Sequence, residues 1–281
     1  MGKNSKSVAT AVLSAVLPCA AFAAPEISVA LKLDETSYVV GERVRGVVDV
    51  ENFTTATLDI GSARSPDVFF IELFRSHGGE AVEPFESEPW TVPFRLETNK
   101  GIKLEVFIDS HFPFYTECSY IARPVVVHGG IRYEGAYRAF SIVPGMKVGE
   151  AVQMFSGDDD LRREFTLVKW NRRSREHLFL AARDVRNGVE TRSYRTVDLG
   201  RMMRMTPPVI SVVPSGEVFV LHRTDRDYFA RSEFWSMKNA LEFRGAVSVQ
   251  DPETAAQSSI QDIYSRSGGV QPKKKPWWKF W

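Results

Sequence analysis

Cysteine is almost missing from this chain of 281 residues, with only Cys19 and Cys118. Cys19 lies inside an N-terminal apolar run, which leaves one thiol in the body of the chain. One thiol builds neither a disulfide scaffold nor a multi-cysteine zinc site, so stability has to come from buried apolar surface. Cys118 itself reads as a small, partly buried apolar residue and not as a nucleophile. Long apolar runs are missing too. Beyond the N-terminus no stretch approaches the roughly 20 residues that span a bilayer, so no transmembrane helix is expected in the mature chain. The motifs that announce common chemistries are also absent. There is no His-Glu-x-x-His, phosphate-binding glycine loop, dinucleotide fingerprint or Gly-x-Ser-x-Gly elbow. The sequence therefore assigns no catalytic, cofactor-binding or metal-ligating residue.

What is present begins with an export signal. Lys3 and Lys6 precede an apolar run from Val8 to Phe22, and Ala21-Phe22-Ala23 supplies the small residues a signal peptidase needs. Residues 1–23 are read as a signal peptide, placing the protein in the periplasm or outside the cell. The whole chain is 43% hydrophobic and 25% charged, a folded composition. The net charge of +1 conceals two unlike halves. Residues 24–144 carry 11 Lys and Arg against 18 Asp and Glu, and residues 145–281 carry 23 against 17. The sign changes near Pro144-Gly145, which marks a domain boundary. Much of the later excess is in the last nine residues, so a nucleic-acid partner is not expected.

Residues 24–145 alternate. Ile27, Val29, Leu31 and Leu33 sit at period two, and the pattern returns in 44–52, 102–108 and 120–127; 68–74 is a hydrophobic run fit for a strand buried on both faces or at a sandwich core, and 137–143 closes the region. Short strands punctuated by turns, with no helical stretch, predict a β-sandwich. The run Tyr38-x-x-Gly41-Glu42-x-Val44, leading through Val48 and Val50 to Asn52, resembles the opening of bacterial immunoglobulin-like and macroglobulin-type domains. The closing Tyr137-x-Ala-Phe140-x-Ile142-Val143-Pro144-Gly145 is similar to their last strand. The resemblance implies a fold and brings no activity with it.

Residues 146–250 also read as β-rich. Phe165 to Trp170 alternates, 178–181 is a compact apolar run, and Pro214-Ser215-Gly216-Glu217 reads as a hairpin turn. The stretch 229–241 is open between helix and irregular structure, because Phe234, Met237, Lys238 and Leu241 are spaced as on a helix face. Gly200 to Arg204 is a further short-helix candidate. Residues 251–272, rich in Ser, Gln and Ala, read as a flexible linker. The chain closes with Lys273, Lys274, Lys275, Pro276, Trp277, Trp278, Lys279, Phe280 and Trp281. Such aromatics are costly to leave uncovered, and six residues from Pro276 cannot hold a helix alone in water. The segment is read as a docking tail for a protein partner or an anionic envelope surface, where Trp prefers the interface and Lys is drawn to acidic lipid. The fold class is thus all-β: an immunoglobulin-like sandwich, a second β-rich domain and a flexible tail.

Several constellations have side chains suited to chemistry. Two His-Gly-Gly runs, at His77 and His128, lie between alternating segments and read as hairpin tips. Gly157-Asp158-Asp159-Asp160 lacks the alternate spacing of a calcium loop and reads as a turn. Arg172, Arg173 and Arg175 beside Trp170 read as a solvated hairpin tip. Asp109 and His111 could form an acid–base pair, but nothing nearby supplies a nucleophile. The expected function is an exported, non-enzymatic binding or structural protein of the bacterial envelope. The competing expectation is a secreted hydrolase, acting on glycans, with an immunoglobulin-like accessory domain. The processing step is directly checkable: N-terminal sequencing of exported protein should begin at Ala24. A start at Met1 or a lipid-modified Cys19 would refute the signal-peptide reading.

Overall fold

The computed structural model describes residues 26–250 except 63–65, 86–92, 115 and 156–157, and the side chains of 158–159 are likewise not described. The linker 251–272 and the tail residues from Lys273 to Trp281 therefore lie outside the described residues. Nearly everything described is strand. In chain order these are β1 (Ile27–Leu33), β2 (Ser37–Val39), β3 (Arg45–Asn52), β4 (Leu58–Ile60), β5 (Val68–Arg75), β6 (Phe94–Leu96), β7 (Lys100–Phe107), β8 (Cys118–His128), β9 (Ile131–Glu134) and β10 (Arg138–Val143). There follow β11 (Met146–Phe155), β12 (Asp158–Arg172), β13 (Arg175–Arg186), β14 (Val189–Ser193), β15 (Val197–Arg201), β16 (Val209–Val212), β17 (Glu217–Asp225), β18 (Tyr228–Met237) and β19 (Ala240–Val249). A single 3₁₀ turn, Ile108–Ser110, interrupts them.

The first ten strands form two facing sheets, ordered β1-β3-β7 and β2-β10-β8-β5, with β9 beside β8 and a small β4-β6 pair apart. Alternation puts Val48, Val50, Leu104 and Val106 on one inner face and Phe69, Ile71, Ala122 and Phe140 on the other, in one shared core. The second pair of sheets is β11-β12-β13-β14, with β15 also on β13, facing β16-β17-β18-β19. Its core takes Phe165, Leu167, Leu178 and Leu180 from one sheet and Val218, Val220 and Phe234 from the other.

No α-helix occurs among the described residues. Residues 229–241 are the β18–β19 hairpin: Met237 pairs with Ala240 around a turn at Lys238 and Asn239. The two-residue turn breaks the two-residue period, so that Phe234 and Leu241, seven positions apart, both turn to the core and mimic helical spacing. Gly200 to Arg204 is likewise a strand end and turn. Both His-Gly-Gly runs are turns. Gly129 and Gly130 have φ of 57° and 78° between the paired His128 and Ile131, the left-handed pair that a tight hairpin demands. The β12–β13 hairpin makes the same turn without glycine, at Arg173 (φ 49°) and Ser174 (φ 65°).

The second pair of sheets buries an ion pair, Arg163 with Asp184. Arg163 occupies an inward position of β12 and is 0% exposed. Its guanidinium grips both oxygens of Asp184, at 2.7 and 3.1 Å. It also donates to Ser236 Oγ and to the carbonyls of Met237 and Ala240 on the facing sheet. The Tyr194 hydroxyl is a further partner. The ion therefore cross-links two sheets with its hydrogen-bonding capacity met. Breaking such a pair from one side strands a buried charge, at about 3–5 kcal/mol. Arg163→Leu should lower stability by that amount in urea unfolding, and Arg163→Met with Asp184→Leu should recover a large part of it. A single variant as stable as the parent would show that the pair does not hold the sheets.

Candidate functional site

A second buried guanidinium joins the two sheet pairs. Arg172 is 8% exposed and donates to both Glu42 oxygens at 2.7 and 2.6 Å and to Asp198 Oδ2 at 2.8 Å. Glu42 also accepts the Val39 amide at 3.0 Å. Burial nonetheless pushes its carboxyl above the usual range, against the pull of Arg172. Around this pair the Thr196 amide donates to the Gly41 carbonyl, and its hydroxyl to the Val40 carbonyl. Trp170 Nε1 reaches Ser37 Oγ at 3.0 Å, and Arg173 reaches the Asp34 carbonyl at 2.7 Å. Val39, Val168 and Phe179 make a small apolar cluster beneath. Gly41 is at φ +80°, where a Cβ would stand 2.8 Å from Thr196 Oγ1. The turn Tyr38-x-x-Gly41-Glu42 thus serves the junction as well as its own sheet.

Beside the junction lies a cleft of about 520 Å³. Phe85, Phe112 and Phe114 form one wall; Thr166, Ala181 and Arg183 on β12 and β13 are among the residues opposite. Phe112 and Phe114 are anchored in the first core, Phe114 meeting Tyr120 and Phe140 edge-on at 5.0 and 5.7 Å. Phe85 is 54% exposed, held by its amide to the His111 carbonyl. A cavity of this size, part apolar with a few fixed polar groups, has the proportions of a ligand site.

The cleft's charges fall into two kinds. Asp109, on the 3₁₀ turn, has its carboxyl raised by burial, opposed by the Val44 amide at 2.9 Å and by the charges of Arg43 and Arg195. Glu164 is lowered by its hydrogen bond to Arg183, assisted by Arg162. Arg183 also approaches Glu190 at 3.4 Å, giving a charge ladder along the floor. Arg195 is exposed and forms no ion pair among the described residues.

The residues singled out from sequence are dispersed. Asp109 reaches the cleft, but its carboxylate serves the Val44 amide. Arg172, Arg173 and Arg175 do not form a shared solvated tip: Arg172 is buried in the junction, Arg173 bonds the Asp34 backbone, and Arg175 is exposed. His128 meets Asp67 at 2.6 Å at its hairpin. No cluster of three or more His, Cys, Asp or Glu fit for a metal occurs among the described residues. The tail residues lie outside the described residues, so the structure brings nothing to them. Phe85, Phe112, Phe114, Arg183 and Arg195 were not singled out. No local signal gathers them, since the wall and the floor come from different sheet pairs.

One histidine is placed where no motif pointed. His222 on β17 is 1% exposed, and neither ring nitrogen makes a well-formed hydrogen bond, the Arg201 backbone lying only near enough to exert a weak pull. Burial lowers its pKa from 6.5 to about 4, with the Arg201 backbone and the Asp198 charge working the other way. The folded state thus holds His222 neutral where the unfolded chain is protonated, so the unfolded chain binds more protons between pH 4 and 6.5. Stability is fully present above pH 6.5 and declines as pH falls to about 4, by about 3 kcal/mol in all. Unfolding measured across that range should show this slope, and His222→Leu should flatten it. An unchanged slope in the variant would assign the effect elsewhere.

Comparison with known proteins gives little relationship. No family model matches the chain, and no curated protein matches it. Among solved structures it is similar to Spo0M, a sporulation control protein from Bacillus subtilis, at a TM-score of 0.29 and 12% identity, covering 86% of this chain and 98% of that one.

Proposed function

We propose that this chain is an exported, non-enzymatic binding protein of the bacterial cell envelope. In this reading an immunoglobulin-like domain (24–145) and a β-rich domain (146–250) hold a ligand in the cleft between them. The Lys/Trp-rich tail, reached through the linker 251–272, docks the protein to a partner or to an anionic envelope surface. The carrying observation is the cleft: an exposed aromatic, Phe85, over a rigid Phe112/Phe114 wall, facing an ordered ladder of charges. An exposed aromatic beside hydrogen-bonding groups and an unpaired arginine is what a recognition surface requires.

The glycan-hydrolase reading has one observation in its favour. Asp109 is raised and Glu164 lowered within one cleft, as an acid and a base of opposite roles would be. Their partners argue for binding. Asp109 is tied to a backbone amide, while Glu164 and Glu190 are both engaged by Arg183. No carboxylate of the three is left with the freedom a nucleophile or a water-activating base needs.

The two readings separate in one preparation. The full chain, immobilised and exposed to solubilised native envelope, should retain a component that Phe85→Ser with Arg195→Glu reduces at least tenfold. Both positions are exposed, so the variant should keep its unfolding midpoint. Equal retention by parent and variant would remove the cleft from the function. Release of soluble sugar from the same material, lost in Asp109→Asn, would establish the hydrolase instead.

A further inference from the structure

A separate hollow of about 410 Å³ lies between the tip of the β12–β13 hairpin and the segment after β15. Three arginines line it, Arg175, Arg201 and Arg204, and one carboxylate, Glu176. That carboxylate is already shared: Arg204 Nε is 2.7 Å from it and Lys169 Nζ 3.3 Å. The nearest carboxylate to Arg201 is Asp225, at 3.9 Å. Arg175 is exposed and has no ion pair among the described residues. Guanidinium groups gathered around one concavity repel one another unless an anion joins them.

The backbone under these groups is fixed. Arg175 pairs with Arg172 at the hairpin, and Arg201 pairs with His177 across β13 and β15. The Met202 amide donates to the Glu176 carbonyl and the Met203 amide to the Arg223 carbonyl, each at 2.8 Å. The strand pairings and backbone bonds thus fix where the three side chains start, and the Glu176 ion pair holds Arg204 in place, while Arg175 and Arg201 are exposed and would order on the anion. The chemistry of the ring selects among anions. A phosphate group offers several oxygens to several planar guanidinium forks, whereas a carboxylate offers two. The apolar part of the hollow is Met202 and Met203, with Met205 close by in sequence and 68% exposed. Methionine suits an irregular apolar substituent.

We propose that this hollow binds a phosphate ester, with its oxygens on Arg175, Arg201 and Arg204 and its organic substituent against the methionines. Two sources share that chemistry, a soluble organic phosphate and an anionic phospholipid headgroup. The site is made of residues distinct from those of the cleft.

The test uses the full chain and two probes: calorimetric titration with glycerol 3-phosphate, and co-sedimentation with phosphatidylglycerol vesicles against phosphatidylcholine vesicles. Both are repeated on Arg175→Gln with Arg201→Gln, on Arg175→Lys, and on a chain with Lys273, Lys274, Lys275 and Lys279 changed to Gln. The last variant removes the tail's own attraction for anionic vesicles. Saturable binding of at least one probe, weakened tenfold or more by the double Gln variant and less by Arg175→Lys, is expected. Soluble-phosphate binding unaffected by the tail variant identifies a free ester. Sensitivity to the double Gln variant seen only with phosphatidylglycerol vesicles, and persisting in the tail variant, identifies a lipid headgroup. Binding of neither probe, or equal binding by parent and double Gln variant, overturns the proposal.

Discussion

The Arg172–Glu42 pair is the contact on which the arrangement of the molecule depends. It takes two ions out of water, a loss that good geometry and further hydrogen bonds must offset. The terminal nitrogens of Arg172 meet both conditions, while its buried Nε makes no hydrogen bond among the described residues and has Glu35 at 3.9 Å. Glu42 engages the guanidinium with both oxygens and takes a backbone amide as well, while Asp198 takes another face of the same guanidinium. An apolar contact tolerates sliding; a bidentate pair flanked by the Thr196 bonds to Val40 and Gly41 does not. The cleft borders this junction, with Val40, Gly41, Glu42 and Thr196 on its lining. Its shape therefore follows from the register of the two sheet pairs at this one point.

The two buried arginines divide the labour. Arg163 joins two sheets within one core, and Arg172 joins one core to the next. Both lie on β12, nine positions apart in a strand of 15 residues. That strand is the common member of the second sandwich, the junction and the cleft floor. Its outward residues Glu164 and Thr166 face the cleft while inward Phe165 and Leu167 fill the core. A period of two is enough to give one segment these separate tasks.

The strands were legible in sequence where one face is buried and the other wet. Ile27–Leu33 and Arg45–Asn52 follow that rule residue by residue. The hairpin 228–249 was not, because its two-residue turn shifts the phase between Phe234 and Leu241 and counterfeits a helical repeat. Arg163 carried a readable signal, being a charge at an inward position between Leu161 and Phe165. The cleft carried none. Asp109, Arg183 and Arg195 are brought near one another by pairings between distant strands, and nothing in the local chain encodes such meetings. The same holds for Glu42 and Arg172, which are 130 residues apart.

The parallel pairing of β2 with β10 has a consequence for how the chain comes to be folded. Ser37 lies against Ser141 and Val39 against Val143, so β2 cannot join the sheet β2-β10-β8-β5 until the last strand of its unit exists. A chain made from its N-terminus meets β1 to β3 long before β10. Through that interval Tyr38 and Val39, both buried in the finished structure, have no strand to lie against. Long-range pairing of this kind is slow, because the loop must close before any contact rewards it. β1 and β3 can pair with each other at once, but β2 stays an open edge, free to pair with another nascent copy until β10 arrives.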